Sequence, residues 1–229
     1  MSLIVSVKVA EGIVMAADSR VSMHVRKDND LRGVMGICHY SDQFHKLFTA
    51  PNGAGISFCG EMAIEKGNLN TLLETFLKNE IRKDTSVEKT ACALLEYMRS
   101  LPKVPSTIFH VCGYDGDSPE LFRVQPKRDL MEDMGDKPLA WDGEGDVLAR
   151  LLSPVTMRVP EGNGAPLPNY PLALNLFTLQ DAVDFARYAV ETTIQTMRFK
   201  NVIETVGGKV DILVITPEET KWLQKDELN

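Results

Sequence analysis

Apolar residues occupy every second position at the start of the chain. The positions are Leu3, Val5, Val7 and Val9. This period of two predicts a β-strand with one buried face. The Glu11-Gly12 pair predicts a hairpin turn into a second strand over residues 13–22, which is rich in small and apolar side chains. The chain is therefore predicted to begin with two paired strands.

Turn signals divide the segment that follows. Residues 23–43 are polar and contain two glycines, a composition typical of a long loop or a broken hairpin. The Pro51-Asn52-Gly53 triplet is a strong turn signal. The residues on its two sides predict a third strand over 46–50 and a fourth over 54–59.

The hydrophobic period then changes to three and four residues, which predicts amphipathic helices. The predicted helices are residues 62–83, 85–101, 146–152 and 178–200. Thr85 with Glu88, and Thr178 with Asp181, have the spacing of capping boxes. Further strands are predicted at residues 106–113, 120–126, 130–141 and 210–215. The proline-rich residues 154–177 predict an irregular excursion.

The order of these elements indicates the fold class. The predicted order is strands, a helix pair, more strands, single helices and a last strand. Strands and helices thus do not alternate one by one, as they would in a parallel doubly wound sheet. The sequence shows no internal repeat and no Gly/Ser linker. We therefore predict an α+β protein, a four-layer αββα sandwich of two antiparallel sheets flanked by helices, formed by residues 1–229 as a single domain.

Composition excludes several partners. The chain has 25 basic and 32 acidic residues, a formal net charge of −7, and no basic stripe that would face phosphates. We therefore expect no nucleic acid partner. No apolar run approaches the roughly 20 residues of a spanning helix, so we expect no membrane contact.

The cysteines and the first residues indicate a cytoplasmic protein. Lys8 and Glu11 interrupt the apolar N-terminal stretch, and no basic leader precedes it, so it does not resemble a signal peptide. The four cysteines form no C-x-x-C pair. In a chain of this size they are most simply reduced.

Motifs for metals and cofactors are weak. The histidines form no H-x-x-x-H pair, and only Cys38, His39 and His45 lie close enough in sequence to suggest a partial metal site. The chain lacks a phosphate-binding loop and a G-x-S-x-G elbow. We therefore expect neither a metal nor a cofactor.

Ser2 is the candidate nucleophile. Removal of Met1 would expose an α-amine, whose unperturbed pKa of about 7.7–8.0 suits a general base near neutral pH. A hydroxyl and an amine on one residue form a self-contained nucleophile and base. Many proteins begin Met-Ser without using it, so the pair alone indicates little.

The residues around Ser2 strengthen the hypothesis. A strand begins at once, residues 12–20 read G-I-V-M-A-A-D-S-R, and Lys46 precedes Gly60 by 14 residues. Over residues 2–62 the chain resembles the proteasome β-type family of N-terminal-nucleophile hydrolases, which includes bacterial peptidase subunits. The similarity returns at Val206-Gly207-Gly208, before the last strand.

The resemblance implies a role for each matching residue. Ser2 matches the nucleophile, where threonine is usual, and Asp18 matches the buried acid. Lys46 matches the lysine that lowers the pKa of the amine and stabilises the alkoxide. The backbone N–H of Gly60 matches the oxyanion donor. Arg20 matches a structural residue beside the acid.

The chain also departs from the family pattern. About a dozen extra residues separate Asp18 from Lys46, which makes Lys27 a rival for the lysine position. The supporting serine and aspartate of the family are absent; Glu144 or Glu204 are the candidates to replace them. By register, five residues are expected to line the substrate pocket. They are Met15, Ala17, Val21, Phe58 and Met62.

The expected function is peptide-bond hydrolysis through an acyl-enzyme on Ser2. The resemblance implies a polypeptide or peptide substrate, a homo-oligomeric ring and an unfoldase ATPase as a further partner. Since no leader precedes Ser2, removal of Met1 is expected to suffice for activation. Two alternatives stay open: a catalytically silent proteasome-like subunit, and an N-terminal-nucleophile amidohydrolase or transpeptidase that acts on a small substrate.

Overall fold

The computed structural model describes residues 2–26, 35–64, 67–157, 164–168 and 170–225, and for residues 23–26 and 35–40 it describes the backbone only. The strands are β1 Leu3–Val9, β2 Gly12–Asp18, β3 Val21–Arg26, β4 Met35–Ser41, β5 Leu47–Thr49, β6 Gly55–Gly60, β7 Ala63–Ile64, β8 Gly67–Asn68, β9 Thr107–Asp115, β10 Ser118–Gln125, β11 Leu130–Asp133, β12 Leu139–Gly143, β13 Thr156–Met157, β14 Ala165–Pro166, β15 Val210–Ile215 and β16 Thr220–Gln224. The helices are α1 Leu69–Glu80, α2 Val87–Arg99, α3 Asp146–Leu152 and α4 Leu179–Arg198.

Two five-stranded antiparallel sheets form the centre of the protein. The first sheet has the order β12-β1-β2-β15-β16, and the second has the order β11-β10-β9-β6-β5. The first three strands of the first sheet pair in register, with Ile4 opposite Ala17 on one side and opposite Asp142 on the other. The N-terminal strand is therefore held between two neighbours.

Three apolar clusters separate the layers. Alternate residues of β1, beginning with Leu3, pack against α4 and α3. The opposite face of β1 contributes Ile4 to a cluster between the two sheets. The outer face of the second sheet packs Phe58 and Phe109 against α1 and α2. The order of layers is helix, sheet, sheet, helix, which confirms the predicted αββα sandwich.

The second strand is shorter than predicted. It ends at Asp18 rather than near residue 22, and the chain then forms a separate hairpin of β3 and β4. The Asp18 carboxylate accepts the backbone N–H of Arg20 at 3.2 Å, which turns the chain out of the sheet. The predicted loop or broken hairpin over residues 23–43 is thus in part a paired hairpin.

Two predicted helix starts are wrong. The helix predicted from residue 62 begins at Leu69, because the Asn68 side chain accepts the N–H of Thr71 and ends a short pairing of β7 with β8. The second helix is capped by Ser86, not by Thr85. By contrast, the capping box of Thr178 with Asp181 is confirmed at the start of α4.

The strand predicted over 130–141 is two strands in different sheets. Strand β11 pairs with β10, whereas β12 pairs with β1. Gly135, at a φ of +52°, lies in the turn between them. This crossing between sheets brings Asp142 and Gly143 beside the start of β1. Strand β16 was not predicted, since it lies in the charged segment over residues 217–229, which resembles a polar tail.

Candidate active site

Ser2 directly precedes β1. It is fully buried, and its carbonyl oxygen accepts the backbone N–H of Glu144 at 2.8 Å. Its side-chain Oγ is buried and has no hydrogen-bond partner among the described residues. A buried hydroxyl without a partner carries a desolvation cost. Met1, on which the α-amine of Ser2 depends, lies outside the described residues.

Gly143 allows the close approach of β12 to Ser2. Its φ is +98°, and a Cβ at this position would lie 1.8 Å from the Ser2 carbonyl oxygen. Only glycine adopts this positive φ freely and leaves room for the Ser2 carbonyl without moving the backbone. The Asp-Gly-Glu-Gly turn of the sequence therefore fixes the position of the candidate nucleophile.

The Asp18 carboxylate is the centre of a buried hydrogen-bond network. Oδ1 accepts the N–H of Leu3 at 3.0 Å and the Lys46 ammonium at 2.8 Å. Oδ2 accepts the backbone N–H groups of Arg20 at 3.2 Å and Gly207 at 3.0 Å. Asp18 thereby ties Lys46 to the peptide bond that follows Ser2.

Lys46 is completely buried. Besides Asp18, its ammonium donates to the carbonyl of Arg20 at 2.6 Å. Burial lowers the pKa of Lys46 below its ordinary value, and the attraction of Asp18 offsets only part of that effect. The structure thus brings two of the predicted site residues, Asp18 and Lys46, into direct contact. The rival Lys27 lies outside the described residues.

Arg20 supports this network from the outside. Its guanidinium forms two hydrogen bonds with Asp42, at 2.7 and 2.9 Å, and one with Glu204 at 2.7 Å. The hydrogen bond to Asp42 is the largest influence on Arg20 and raises its pKa, with Glu204 adding to the effect. A Cβ on Gly207 would lie 2.4 Å from the guanidinium. Any side chain at position 207 would therefore displace the Arg20 guanidinium.

Gly60 ends β6 on the far side of the same opening. Its φ is +122°, and a Cβ there would lie 2.4 Å from the Ser106 carbonyl oxygen. Strand β6 pairs Gly60 with Thr107 of β9. Ser2 and Gly60 both line one pocket of about 360 Å³, so the structure brings the predicted nucleophile and the predicted oxyanion donor to one cavity.

The other walls of this pocket differ from the prediction. They include Ser106, Gln125 and Asp142, whereas none of the five residues predicted to line the pocket does so. Met15 and Ala17 are buried between the sheets. Phe58 is buried beneath the helices, Val21 is buried, and Met62 packs against the cluster that contains Phe58. None of the five residues therefore belongs to the cavity that Ser2 and Gly60 line. Phe58 stacks on Phe48 at a centroid distance of 6.0 Å, and Phe44 contacts its ring edge-on.

A second buried polar network meets the pocket at Asp142. His110 bridges the two sheets, with Nδ1 at 2.9 Å from Ser6 Oγ and Nε2 at 3.0 Å from Asp142 Oδ2. Arg123 donates to both carboxylate oxygens of Asp142. Burial opposes ionisation of Asp142, but the hydrogen bonds of His110 and Arg123 outweigh it and lower its pKa. No short motif indicated this network, because its members come from four strands.

Glu144 and Glu204, the candidates to replace the supporting serine and aspartate of the family, have different surroundings. Glu144 donates its backbone N–H to Ser2, and its carboxylate accepts the Thr205 hydroxyl at 3.1 Å. Glu204 is half exposed and pairs with Arg20. Glu144 is therefore the acid in direct contact with Ser2, through its backbone.

The candidate metal residues do not converge in the described residues. His45 contacts Asp211 at 3.3 Å, while the side chains of Cys38 and His39 lie outside the described part. Within that part, no three His, Cys, Asp or Glu side chains are grouped to hold a metal ion. None of the helices that the structure describes has the length and apolar character to cross a membrane.

Comparison with known proteins identifies the fold. No protein-family model matches the chain, and no curated protein matches its sequence. Its structure is similar to that of the Anbu (Gly-1) mutant from Hyphomicrobium sp. strain MC1, with a TM-score of 0.62 and 16% sequence identity. The alignment covers 99% of this chain and 89% of the Anbu chain. The likeness shows that the chain has the fold of the N-terminal-nucleophile hydrolases.

Proposed function

We propose that this chain is a proteasome-like N-terminal-nucleophile hydrolase, which cleaves peptide bonds with Ser2 once Met1 has been removed. The observation that carries the proposal is the buried Oγ of Ser2, which has no partner in the described part of the chain and belongs to a residue that lines a pocket together with Gly60. Beside it, the Asp18–Lys46 pair is tied to the first peptide bond of β1. The fold supports the same conclusion.

The reaction follows from these groups. The α-amine of Ser2 takes the proton of its own hydroxyl, and Oγ bonds to the carbonyl carbon of the substrate. The carbonyl oxygen becomes an oxyanion that accepts the N–H of Gly60. When the C–N bond breaks, the ammonium returns its proton to the departing amine. Water then hydrolyses the ester on Ser2, with the amine again as base.

Lys46 is proposed as a positioning residue. Its contact with Asp18 holds a buried positive group behind the start of β1, where it favours the neutral amine and the alkoxide. Because burial lowers the pKa of Lys46, the positive charge depends on Asp18. Loss of either side chain should therefore slow acylation without changing which bond is cut.

The proposal extends to the whole chain. Residues 1–229 are proposed to act as one domain, in the cytoplasm, as a homo-oligomeric ring that admits unfolded polypeptide, with an unfoldase ATPase as a further partner. These assignments rest on the resemblance to proteasome β-type subunits. Sedimentation of the purified protein tests the ring, and a monomer at micromolar concentration would contradict it.

One observation favours a second candidate, a catalytically silent subunit. The stretch before Gly207 lacks the aspartate and serine of active family members, and Glu204 there is engaged by Arg20. A silent subunit would keep the Asp18–Lys46 pair for stability alone. Labelling of Ser2 by an electrophile separates the two candidates.

The test measures the intact mass before and after treatment with a β-lactone electrophile. We expect loss of Met1 and a single adduct on the Ser2 peptide, with no adduct in Ser2→Ala. Ser118→Ala, which removes an exposed serine at the start of β10, should be labelled like the unaltered protein. A protein that loses Met1 and stays unlabelled would support the silent subunit.

A further inference from the structure

The turn after β10 brings an unusual group to the pocket beside Ser2. Pro126 is buried and begins a single 3-10 turn, which ends at Asp129 with a φ of +53°. Just before it, Gln125 is only 5% exposed and lines the pocket. Its Nε2 has no hydrogen-bond partner among the described residues. A buried amide donor without a partner is available to an acceptor that enters the pocket.

Lys127 and Arg128 lie at the same pocket, in the turn itself. Both are exposed, and neither forms a hydrogen bond or an ion pair through its side chain in the part of the chain that the structure describes. Two cationic residues and a glutamine whose amide donor has no partner among the described residues thus line one opening. The acidic chain as a whole has a net charge of −7, so this local excess of positive charge runs against the composition.

The acidic groups near the opening are already neutralised. Asp142 is held by Arg123 and His110. Glu61 and Asp129 are two further acids near the pocket.

Glu61, next to Gly60, pairs with Lys103 at 2.6 Å and accepts the N–H of Ser106. Asp129 pairs with Arg99 at 2.6 Å. Each of these acids therefore has a closer cation of its own, and Lys127 acts on Glu61 only as a weaker, longer-range charge.

We propose that this pocket binds a carboxylate of the polypeptide beside the bond that Ser2 attacks, through Gln125, Lys127 and Arg128. The inference rests on the proposed function for the identity of the bound chain. The carboxylate is either the side chain of a glutamate or aspartate, or the C-terminus of the polypeptide. The site would then select acidic segments, although the protein itself is acidic.

The expected preference is moderate. A carboxylate that meets two exposed cations and one buried amide donor gains charge-assisted hydrogen bonds, which are stronger than those of an amide in the same place. We expect a peptide with glutamate to bind about tenfold more tightly than its glutamine counterpart at low salt. The difference should shrink as salt screens the exposed charges.

The experiment separates binding from catalysis. Full-length Ser2→Ala protein is titrated with fluorescently labelled Ala-Ser peptides that carry one central Glu or Gln, with blocked termini. A second pair of Gln peptides ends in a free carboxylate or an amide, which distinguishes the two sources. The test variant is Lys127→Glu/Arg128→Glu. The matched control is Lys78→Glu/Lys83→Glu, which changes the net charge equally at exposed lysines that do not line the pocket.

The proposal is supported if the protein prefers the Glu peptide or the peptide with a free C-terminus, and if the test variant loses this preference while the control keeps it. The preferred peptide then shows whether the bound carboxylate is a side chain or a C-terminus. Equal binding within each pair, or a preference that survives in Lys127→Glu/Arg128→Glu, would overturn it. Cleavage of the same peptides by protein with a free Ser2 is measured in parallel. Selective binding without cleavage would refute the proposed hydrolase and support the carboxylate pocket. Cleavage without selective binding would support the hydrolase and refute the carboxylate pocket.

Discussion

Replacement of Lys46 by methionine tests the central network most directly. Methionine keeps much of the volume of the buried lysine stem and removes the ammonium. The change breaks the 2.8 Å bond to Asp18 and the 2.6 Å bond to the Arg20 carbonyl. Both side chains of the pair are fully buried, so water does not replace the lost partner.

The expected loss of stability follows from the partners that remain. Removing one member of a buried ion pair costs about 3–5 kcal/mol in the free energy of unfolding, because a charge is left unpaired. Asp18 keeps three backbone donors, from Leu3, Arg20 and Gly207. The variant also avoids the cost of burying an ammonium. We therefore expect the low end of the range, about 3 kcal/mol.

Urea unfolding at neutral pH measures this loss as a shift of the midpoint at constant slope. Lys78→Met, at an exposed position of α1, is the matched control and should change stability by less than about 0.5 kcal/mol. Asp18→Asn combined with Lys46→Met should cost less than the sum of the two single changes, by about 1 kcal/mol or more. A single Lys46→Met loss near that of the control, or strict additivity, would refute the network as described.

Three further predictions concern other parts of the fold. Gly143→Ala should abolish labelling of Ser2 by the β-lactone, followed by intact mass, because its Cβ would displace the Ser2 carbonyl; undiminished labelling would contradict the tight contact. Because the pKa of Asp142 is lowered in the folded state, its carboxylate contributes stability that is complete above about pH 4 and is lost as the pH falls through the lowered pKa. In Asp142→Asn, the urea midpoint should therefore fall less steeply as the pH is lowered. Thr178→Ala should cost about 1 kcal/mol in urea unfolding by removing the cap of α4, and a loss near zero would show that the capping box is not needed.

Local patterns predicted the parts of the structure that depend on local physics. The alternation of β1, the period of α4 and its Thr178–Asp181 cap are properties of short segments. The family resemblance, through the 14-residue separation of Lys46 and Gly60, also implied the contact of Lys46 with Asp18 that the structure shows. The extra residues between Asp18 and Lys46, which made Lys27 a rival, include the hairpin of β3 and β4.

The pocket could not be predicted in the same way. Its walls come from the ends of β6, β10 and β12, and the register of each strand decides which side chain reaches the cavity. Phe58 illustrates the problem. Its place in the sequence suggested the pocket, but its side chain packs on the helix side of the second sheet, with Phe48 and Phe109.

Gln125 and the cations that follow it carry no sequence signal for binding. A Pro-Lys-Arg-Asp segment after a strand is an ordinary turn. Only the structure shows that neighbouring acids are paired elsewhere, with Asp129 on Arg99 and Asp142 on Arg123.

The four donors that surround Asp18 also constrain the order of events during folding. Leu3 is 15 positions from Asp18 in the chain, and Gly207 is 189 positions away. A contact of such high sequence separation forms late, because the loop it closes must first be ordered. During synthesis from the N-terminus, Ser2 emerges at the beginning, whereas the acid beside it acquires its last donor only when almost the whole chain has been made. A nascent or truncated chain would therefore expose an N-terminal serine in an incomplete site, so any hydrolytic activity would begin only with the completed chain.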